Sequence, residues 1–463
     1  LKNLILITID SLRPDHLSFS GYRKHTSPNI DKLCKKSIVF TNAISTAPYT
    51  KASFKSIFTG LYPFSFGGYN SIKGLESLPI IFNENGFKTA GYPNIPILSA
   101  KYGYREGFDF FLDPILKENI IKHFLKKMRI FSIFVELFKH LPPIRLPLIK
   151  IKDFPYLKAE DVNKHVFRWL NNHYNEPFFL WIHYMDIHYP YNPPKELYYI
   201  LNNDKISSTE LERINQLLLK RIFYNNININ KYDLEKLVAL YDTEIRYLDD
   251  KIGDLINFLE GKNIFDETAI IITSDHGEEF LEHGAIGHTG NNFITHMYDE
   301  LLKVPLILFI PGYKSKIINS PVSMIDLVPT ILDLFNFEKP KILEGNPLQA
   351  IIDSRNNSIV TEFIISEASL YNKERGTIQI KPDEKRVVSL RIGKWKYTYY
   401  ESSQINDELY DTKKDPYEQQ NVIDENLDVA KILREYIVKR ISKTRQIHIK
   451  EKIRQSIKDL KLN

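Results

Sequence analysis

The stretch Ile270-Ile271-Ile272-Thr273-Ser274-Asp275-His276-Gly277-Glu278 decides the fold: an apolar, β-branched run stops on a carboxylate, an imidazole and a glycine. A short apolar run bounded by a turn residue reads as a buried strand. Its carboxyl end delivers two metal-ligand residue types at the edge where open α/β sheets hold their ligands. Gly277 permits the sharp turn that follows. The device recurs. Leu4 to Ile9 runs into Asp10-Ser11, and Pro177 to Ile182 runs into His183, with Asp186 and His188 just beyond. Any one of these polar residues reads equally well as the start of a solvated loop. Three such strand ends predict a parallel sheet with Asp10, Asp275, His276 and the His183/His188 pair turned to one crevice.

A nucleophile candidate lies between the first two of these strands. Ser45 to Tyr49 is a turn-rich approach, Lys51 to Phe58 has helical character, and Gly60 stops the helix, so Thr50 falls at its amino terminus. Free N–H groups and the helix dipole favour an anion there. A Thr hydroxyl next to a divalent metal can lose its proton and attack phosphorus or sulfur. The competing reading is an ordinary N-cap. Arg13, Lys51 and Lys55 are the cations nearest these motifs, and Lys51 is the first choice to hold the anion because it adjoins Thr50.

These segments, with others in the same order along the chain, resemble the sulfatases of the alkaline phosphatase superfamily. The likeness runs through ITIDSLRPDHLSFSGY (7–22), TKASFKSIFTGLYP (50–63), TSDHGEEFLEHG (273–284), MYDELLKVPLILFIPG (297–312) and ELYDTKKDPYEQQNV (408–422). It implies an α/β fold: a large mixed, mostly parallel sheet flanked by helices, with a small antiparallel α+β carboxyl-terminal subdomain. It also implies Asp10, Asp275 and His276 as ligands of one divalent metal ion (Ca, Mn, Mg or Zn), with Thr50 joining them. His188 matches the family histidine at the transferred group or leaving oxygen, and such a residue suits acid–base work near neutral pH.

The chain departs from the family where the chemistry is most specific. The family nucleophile is a Cys or Ser converted to formylglycine, followed by a Pro two residues on and an Arg two further. Here the segment is Thr50-Lys51-Ala52-Ser53-Phe54. Thr50 cannot become formylglycine, whose second hydroxyl expels sulfate from the covalent intermediate, so a threonyl ester has to be released by water or another acceptor. An unmodified Thr resembles the superfamily members that handle phosphate esters. Phosphodiester-type cleavage is therefore expected ahead of sulfate-ester hydrolysis. A degenerate protein that holds an anionic glycan or headgroup is the reading from another class. Ser11 stands where the family usually has a second Asp, and His288 is the expected substitute for a family Lys that touches sulfate. A second metal on Asp186, His188 and His288 is a lesser expectation.

Composition fits an enzyme of an anionic ester. The chain has 463 residues, 43% apolar and 26% charged, with a formal charge of +5, enough for a large soluble core and too modest to indicate nucleic-acid binding. The single Cys34 cannot form an intramolecular disulfide. A cytoplasmic location is the default, with export left open because the chain opens inside its first strand. Residues 1–345 read as the catalytic α/β domain and 355–463 as the α+β subdomain. Within the first, 114–152 is a basic, apolar insertion suited to a packed helical pair, to a cap over the active site or to peripheral contact with an anionic membrane. Residues 200–230, Asn-rich, read as a mobile loop or lid.

Overall fold

The computed structural model describes residues 1–114, 156–224, 227–288, 294–353, 363–371 and 384–461, the backbone alone for 223–224 and 448–461. The expected insertion at 114–152 lies almost wholly outside the described residues. The main sheet has nine strands in the order β10-β2-β9-β6-β1-β5-β3-β4, with β11 also pairing with β2. They are β1 (Asn3–Ile9), β2 (Ile38–Ile44), β3 (Lys88–Tyr92), β4 (Phe110–Phe111), β5 (Phe178–Tyr184), β6 (Thr268–Ser274), β9 (Lys303–Phe309), β10 (Lys316–Ile318) and β11 (Val322–Ser323). A two-stranded ribbon, β7 (Glu279–Phe280) with β8 (Ile286–Gly287), follows β6. Only β9 runs against its neighbours, pairing antiparallel with β2 and β6. The sheet is therefore mixed and mostly parallel.

Both faces of this sheet are covered, which is why its strands read as unbroken apolar runs rather than alternating ones. On one face Ile5, Ile7, Ile182, Ile270 and Ile272 pack with Leu237, Leu248, Leu255 and Leu259 of the long helix Lys231–Gly261. On the other, Leu4, Leu6, Trp181 and Ile271 pack with Phe54, Ile57 and Phe58 of the helix Thr50–Thr59. The spacing of these three residues puts one apolar stripe under the sheet. Phe58 meets Trp181 edge-on with ring centroids 4.6 Å apart. Gly60, at φ 64°, supplies the left-handed turn that ends the helix. Packing of this stripe holds the helix's amino terminus at the carboxyl edge of the sheet.

Register then fixes the crevice. Thr8 of β1 lies opposite both His183 of β5 and Thr273 of β6, and Ile9 lies opposite Tyr184 and Ser274. Asp10 and Asp275 are thus each one step past the same line.

The second sheet is antiparallel, in the order β12 (Ile364–Ser369), β13 (Arg386–Ile392), β14 (Trp395–Tyr400) and β15 (Glu408–Asp411), and is covered by the closing helix Leu427–Lys461. Residues 200–230 depart from the loop reading. They contain the helix Ser208–Tyr224, and Leu211, Ile214, Leu218 and Ile222 are buried at spacings of three and four. The Asn-rich composition hid that periodicity. Among the described residues no helix is long and apolar enough to cross a membrane.

Candidate active site

Asp10, Asp275 and His276 are fully buried, and their ligand atoms lie within 4.8 Å of one another. Thr50 joins them. Its Oγ1 donates to Asp10 Oδ2 at 3.2 Å and lies 3.2 Å from His276 Nε2. It is not a cap: Tyr49 is the N-cap residue, with no side-chain cap bond, and Thr50 is the first residue of the helix. The hydroxyl faces the strand ends instead.

Local bonds hold these groups in place. Ser11, at φ 58° in a region sparsely populated by non-glycine residues, donates from Oγ to Asp10 Oδ1 at 2.7 Å and from its backbone N–H to Asp275 Oδ1 at 3.3 Å. It removes one carboxylate from the family set and orients the other two. His276 Nδ1 lies 2.7 Å from the Gly277 carbonyl, which as a donor bond leaves Nε2 as the ring's ligand atom. Gly277 is constrained too, since a Cβ there would come within 2.0 Å of the Glu300 carbonyl oxygen. Gly277→Ala is expected to cost about 1–3 kcal/mol of stability and to weaken metal binding by displacing His276. Thermal denaturation with and without EDTA measures both, and an unchanged midpoint in each condition would contradict the crowding.

The electrostatics fit a cation. Burial pushes the Asp275 carboxyl up to about 7, and Asp10 adds to the rise while His276 and Thr50 oppose it. Burial acts on Asp10 as well, but His188, His276, His183 and His288 outweigh it and hold this carboxyl well below the usual range. Asp275 Oδ2, Glu278 Oε2 and His183 Nε2 are buried without a hydrogen-bond partner. Two buried carboxylates and an imidazole with an unmatched oxygen are compensated by a divalent ion and by little else.

Histidines flank the trio. His183 Nδ1 lies 3.0 Å from Thr8 Oγ1 and its Nε2 3.8 Å from Asp10 Oδ2, and burial pushes it down to about 4, so it stays neutral. His188 and His288 face each other with ring centroids 5.3 Å apart, and the His288 ring is 4.5 Å from that of His276. Glu278 is the residue sequence reasoning passed over. It is fully buried, its Oε1 is 3.0 Å from His288 Nδ1, and burial pushes its carboxyl up to about 8. Its signal was its place, two residues after His276 at the end of the strand.

Other expected residues sit elsewhere. Arg13 donates to Asp15, to Glu282 and to the Glu278 carbonyl, so its guanidinium braces the loop after His276 rather than presenting itself to a substrate. Lys55 is fully buried on the carbonyls of Pro63, Ser65 and Gly68. Lys51, beside Thr50, donates to Asn70 Oδ1 at 3.1 Å. Phe54, where the family pattern has Arg, packs edge-on against His183 with centroids 4.9 Å apart.

The second-metal trio does not assemble. Asp186 Oδ1 accepts from the Ala159 N–H at 3.0 Å and lies 3.8 Å from Lys158 Nζ, so the amino end of the helix Ala159–His173 holds the carboxylate that the two histidines would need. A different gathering, the half-buried His283 with Glu300 and Glu418, is already compensated, because Lys396 and Arg391 pair with Glu418.

Residues 2–337 match the Sulfatase family, and residues 291–446 match the carboxyl-terminal region of N-sulphoglucosamine sulphohydrolase. The chain belongs to the sulfatase family. It is an ester hydrolase. It is 26% identical over 454 residues to an uncharacterized sulfatase, YidJ, of Escherichia coli K12, covering 91% of this chain and 83% of the relative. It is 23% identical to arylsulfatase K of Mus musculus, covering 91% of this chain and 76% of the relative. Among solved structures, a phosphonate monoester hydrolase of Agrobacterium radiobacter superposes with a TM-score of 0.71 at 20% identity, covering 97% of this chain and 96% of that one. The shared fold is a sulfatase-type, alkaline phosphatase-like one.

Proposed function

We propose that this sulfatase-family hydrolase cleaves phosphodiester-type substrates with Thr50 as nucleophile. The observation that carries the reading is the Thr50 hydroxyl, 3.2 Å from both Asp10 and His276 at the start of a helix. Asp10, Asp275 and His276 would hold one divalent ion, which supplies Lewis-acid charge beside the nucleophile. The chain's own groups do the rest. Asp10 Oδ2 accepts the Thr50 proton in the hydrogen bond and aims the oxygen. Backbone N–H groups at the helix amino terminus favour the anionic group being transferred. His188 and His288 would supply the proton to the departing oxygen.

Phosphorus is preferred to sulfur because threonine carries a methyl where formylglycine carries its second hydroxyl. A sulfated threonine has no internal route to expel sulfate. The phosphonate monoester hydrolase that shares the fold is a further support, since a phosphonate monoester, like a phosphodiester, carries one negative charge at phosphorus. Sulfate-ester hydrolysis is the second reading, favoured by relatives that are themselves called sulfatases.

The specificity constants for bis(4-nitrophenyl) phosphate, 4-nitrophenyl phenylphosphonate and 4-nitrophenyl sulfate separate the two on one metal-reconstituted preparation. The phosphorus esters are expected to lead by at least about tenfold, a barrier difference of about 1.4 kcal/mol. A preference for sulfate, with Thr50 unmodified by mass spectrometry, would overturn the proposal and assign sulfuryl transfer to a plain threonine.

A further inference from the structure

The threonine nucleophile leaves one step without an agent. Once the transferred group is on Oγ1, water has to remove it, and no hydroxyl on the nucleophile itself can help. We propose that Glu278 and His288 form the dyad that activates this water. The inference rests on Thr50 being the nucleophile and adds the machinery of the second half-reaction.

Three observations place the dyad. Glu278 is fully buried, and its Oε1 lies 3.0 Å from His288 Nδ1. A hydrogen on Nδ1 shared with Oε1 fixes the tautomer and leaves Nε2 as the basic atom. Second, the His288 ring is 4.5 Å from the His276 ring, whose Nε2 is 3.2 Å from Thr50 Oγ1, so the base is one ring away from the ester it would release. Third, the neighbouring His188 has its Nδ1 2.5 Å from the carbonyl of Tyr189, the next residue in its own chain, whereas the side chain that orients His288 comes from the strand end that carries His276.

The balance of the step is simple. A water oxygen bonds to phosphorus as one of its protons passes to His288 Nε2. The bond from phosphorus to Thr50 Oγ1 breaks, its electron pair going to Oγ1. The proton on His288 returns through solvent to Oγ1, restoring the hydroxyl, and the phosphorus acid departs. In a double displacement the leaving group exits and the water enters on the side opposite the nucleophile, so one group serves as acid first and base second. Nitrophenolate needs no acid to leave. With nitrophenyl esters, removing the dyad therefore exposes the second step alone.

The test is a rapid-quench experiment with bis(4-nitrophenyl) phosphate on metal-loaded wild type, Glu278→Gln and His288→Gln. Both variants are expected to release about one nitrophenolate per enzyme in a burst and then turn over about 10²-fold more slowly than wild type. Quenched variant protein should carry the phosphoryl adduct on the peptide containing Thr50. With 15N-labelled histidine, the His288 ring should show the Nδ1–H tautomer in wild type and a mixture in Glu278→Gln. Slower turnover without a burst or adduct overturns the dyad, as does wild-type turnover in either variant. An adduct that accumulates equally in all three proteins overturns the dyad and leaves the nucleophile standing. Wild-type turnover by Thr50→Ala removes the intermediate, and both readings fall together.

Discussion

Turnover is expected to fall by a factor on the order of 10⁴ to 10⁶ when Thr50 is replaced by alanine, the range seen when a nucleophile is deleted from a preorganised site. The fold should hardly register the change. Thr50 is the first helical residue and Tyr49 is the N-cap, so the ~1 kcal/mol that follows loss of a capping hydroxyl is not at stake. The helix is held by Phe54, Ile57 and Phe58 against the sheet, and Thr50→Ala touches none of them. Thr50→Ser keeps the oxygen and should keep measurable turnover. Ser53 is a poor stand-in for the lost nucleophile, because its Oγ donates to the carbonyls of Tyr49 and Thr50 at 3.0 and 3.2 Å. Initial rates on one nitrophenyl ester, read beside thermal midpoints, decide the matter. An alanine variant that works at nearly the wild-type rate would transfer the chemistry to a water molecule.

How far the site was legible follows from where its information lies. Asp10, Asp275 and His276 could be read because each follows a strand whose apolar run is unmistakable, and parallel sheets gather such ends. Their convergence needed one thing the sequence does not print: β1 lies between β5 and β6, with Ile9 opposite both Tyr184 and Ser274. Thr50 could be placed at a helix start but not separated from a cap, since the two differ only in which way a hydroxyl turns. The cations were the least legible. Arg13 and Lys55 look alike as sequence, yet their long side chains reach Glu282 and Ser65, partners set by loops rather than by spacing. Asp186 could be offered only as a lesser second-metal ligand for the same reason, its partner being the helix that starts at Ala159. Glu278 escaped because a charged residue past a glycine reads as solvated surface, whereas the β7–β8 ribbon folds back and buries it.

Asp275→Asn is expected to abolish metal-dependent stabilisation while leaving the metal-free protein at least as stable as wild type. The isosteric amide keeps the backbone contacts: its carbonyl oxygen can still accept from the N–H groups of Ser11 and His276, now 3.3 and 3.0 Å from Asp275 Oδ1. What it removes is a second buried negative charge beside Asp10, and the unmatched Oδ2 becomes a donor. Without metal, that exchange relieves repulsion. With metal at a hundred times its dissociation constant, wild type gains about 2.7 kcal/mol, and the variant should gain nothing measurable at the same concentration. Losing an outer partner of a metal ligand already weakens binding by roughly 10- to 100-fold, so losing a ligand should cost more. Titration calorimetry with Mn²⁺ or Zn²⁺ on protein stripped by chelator gives the affinity, and denaturation in chelator gives the other half. An unchanged affinity would remove Asp275 from the ligand set. A metal-free variant less stable than metal-free wild type would mean that the carboxylate is paired within the fold, and that its burial serves structure rather than a cation. Gain of stability on neutralising a buried residue is the mark of a site kept for chemistry, because a fold selected only to persist would not retain the charge.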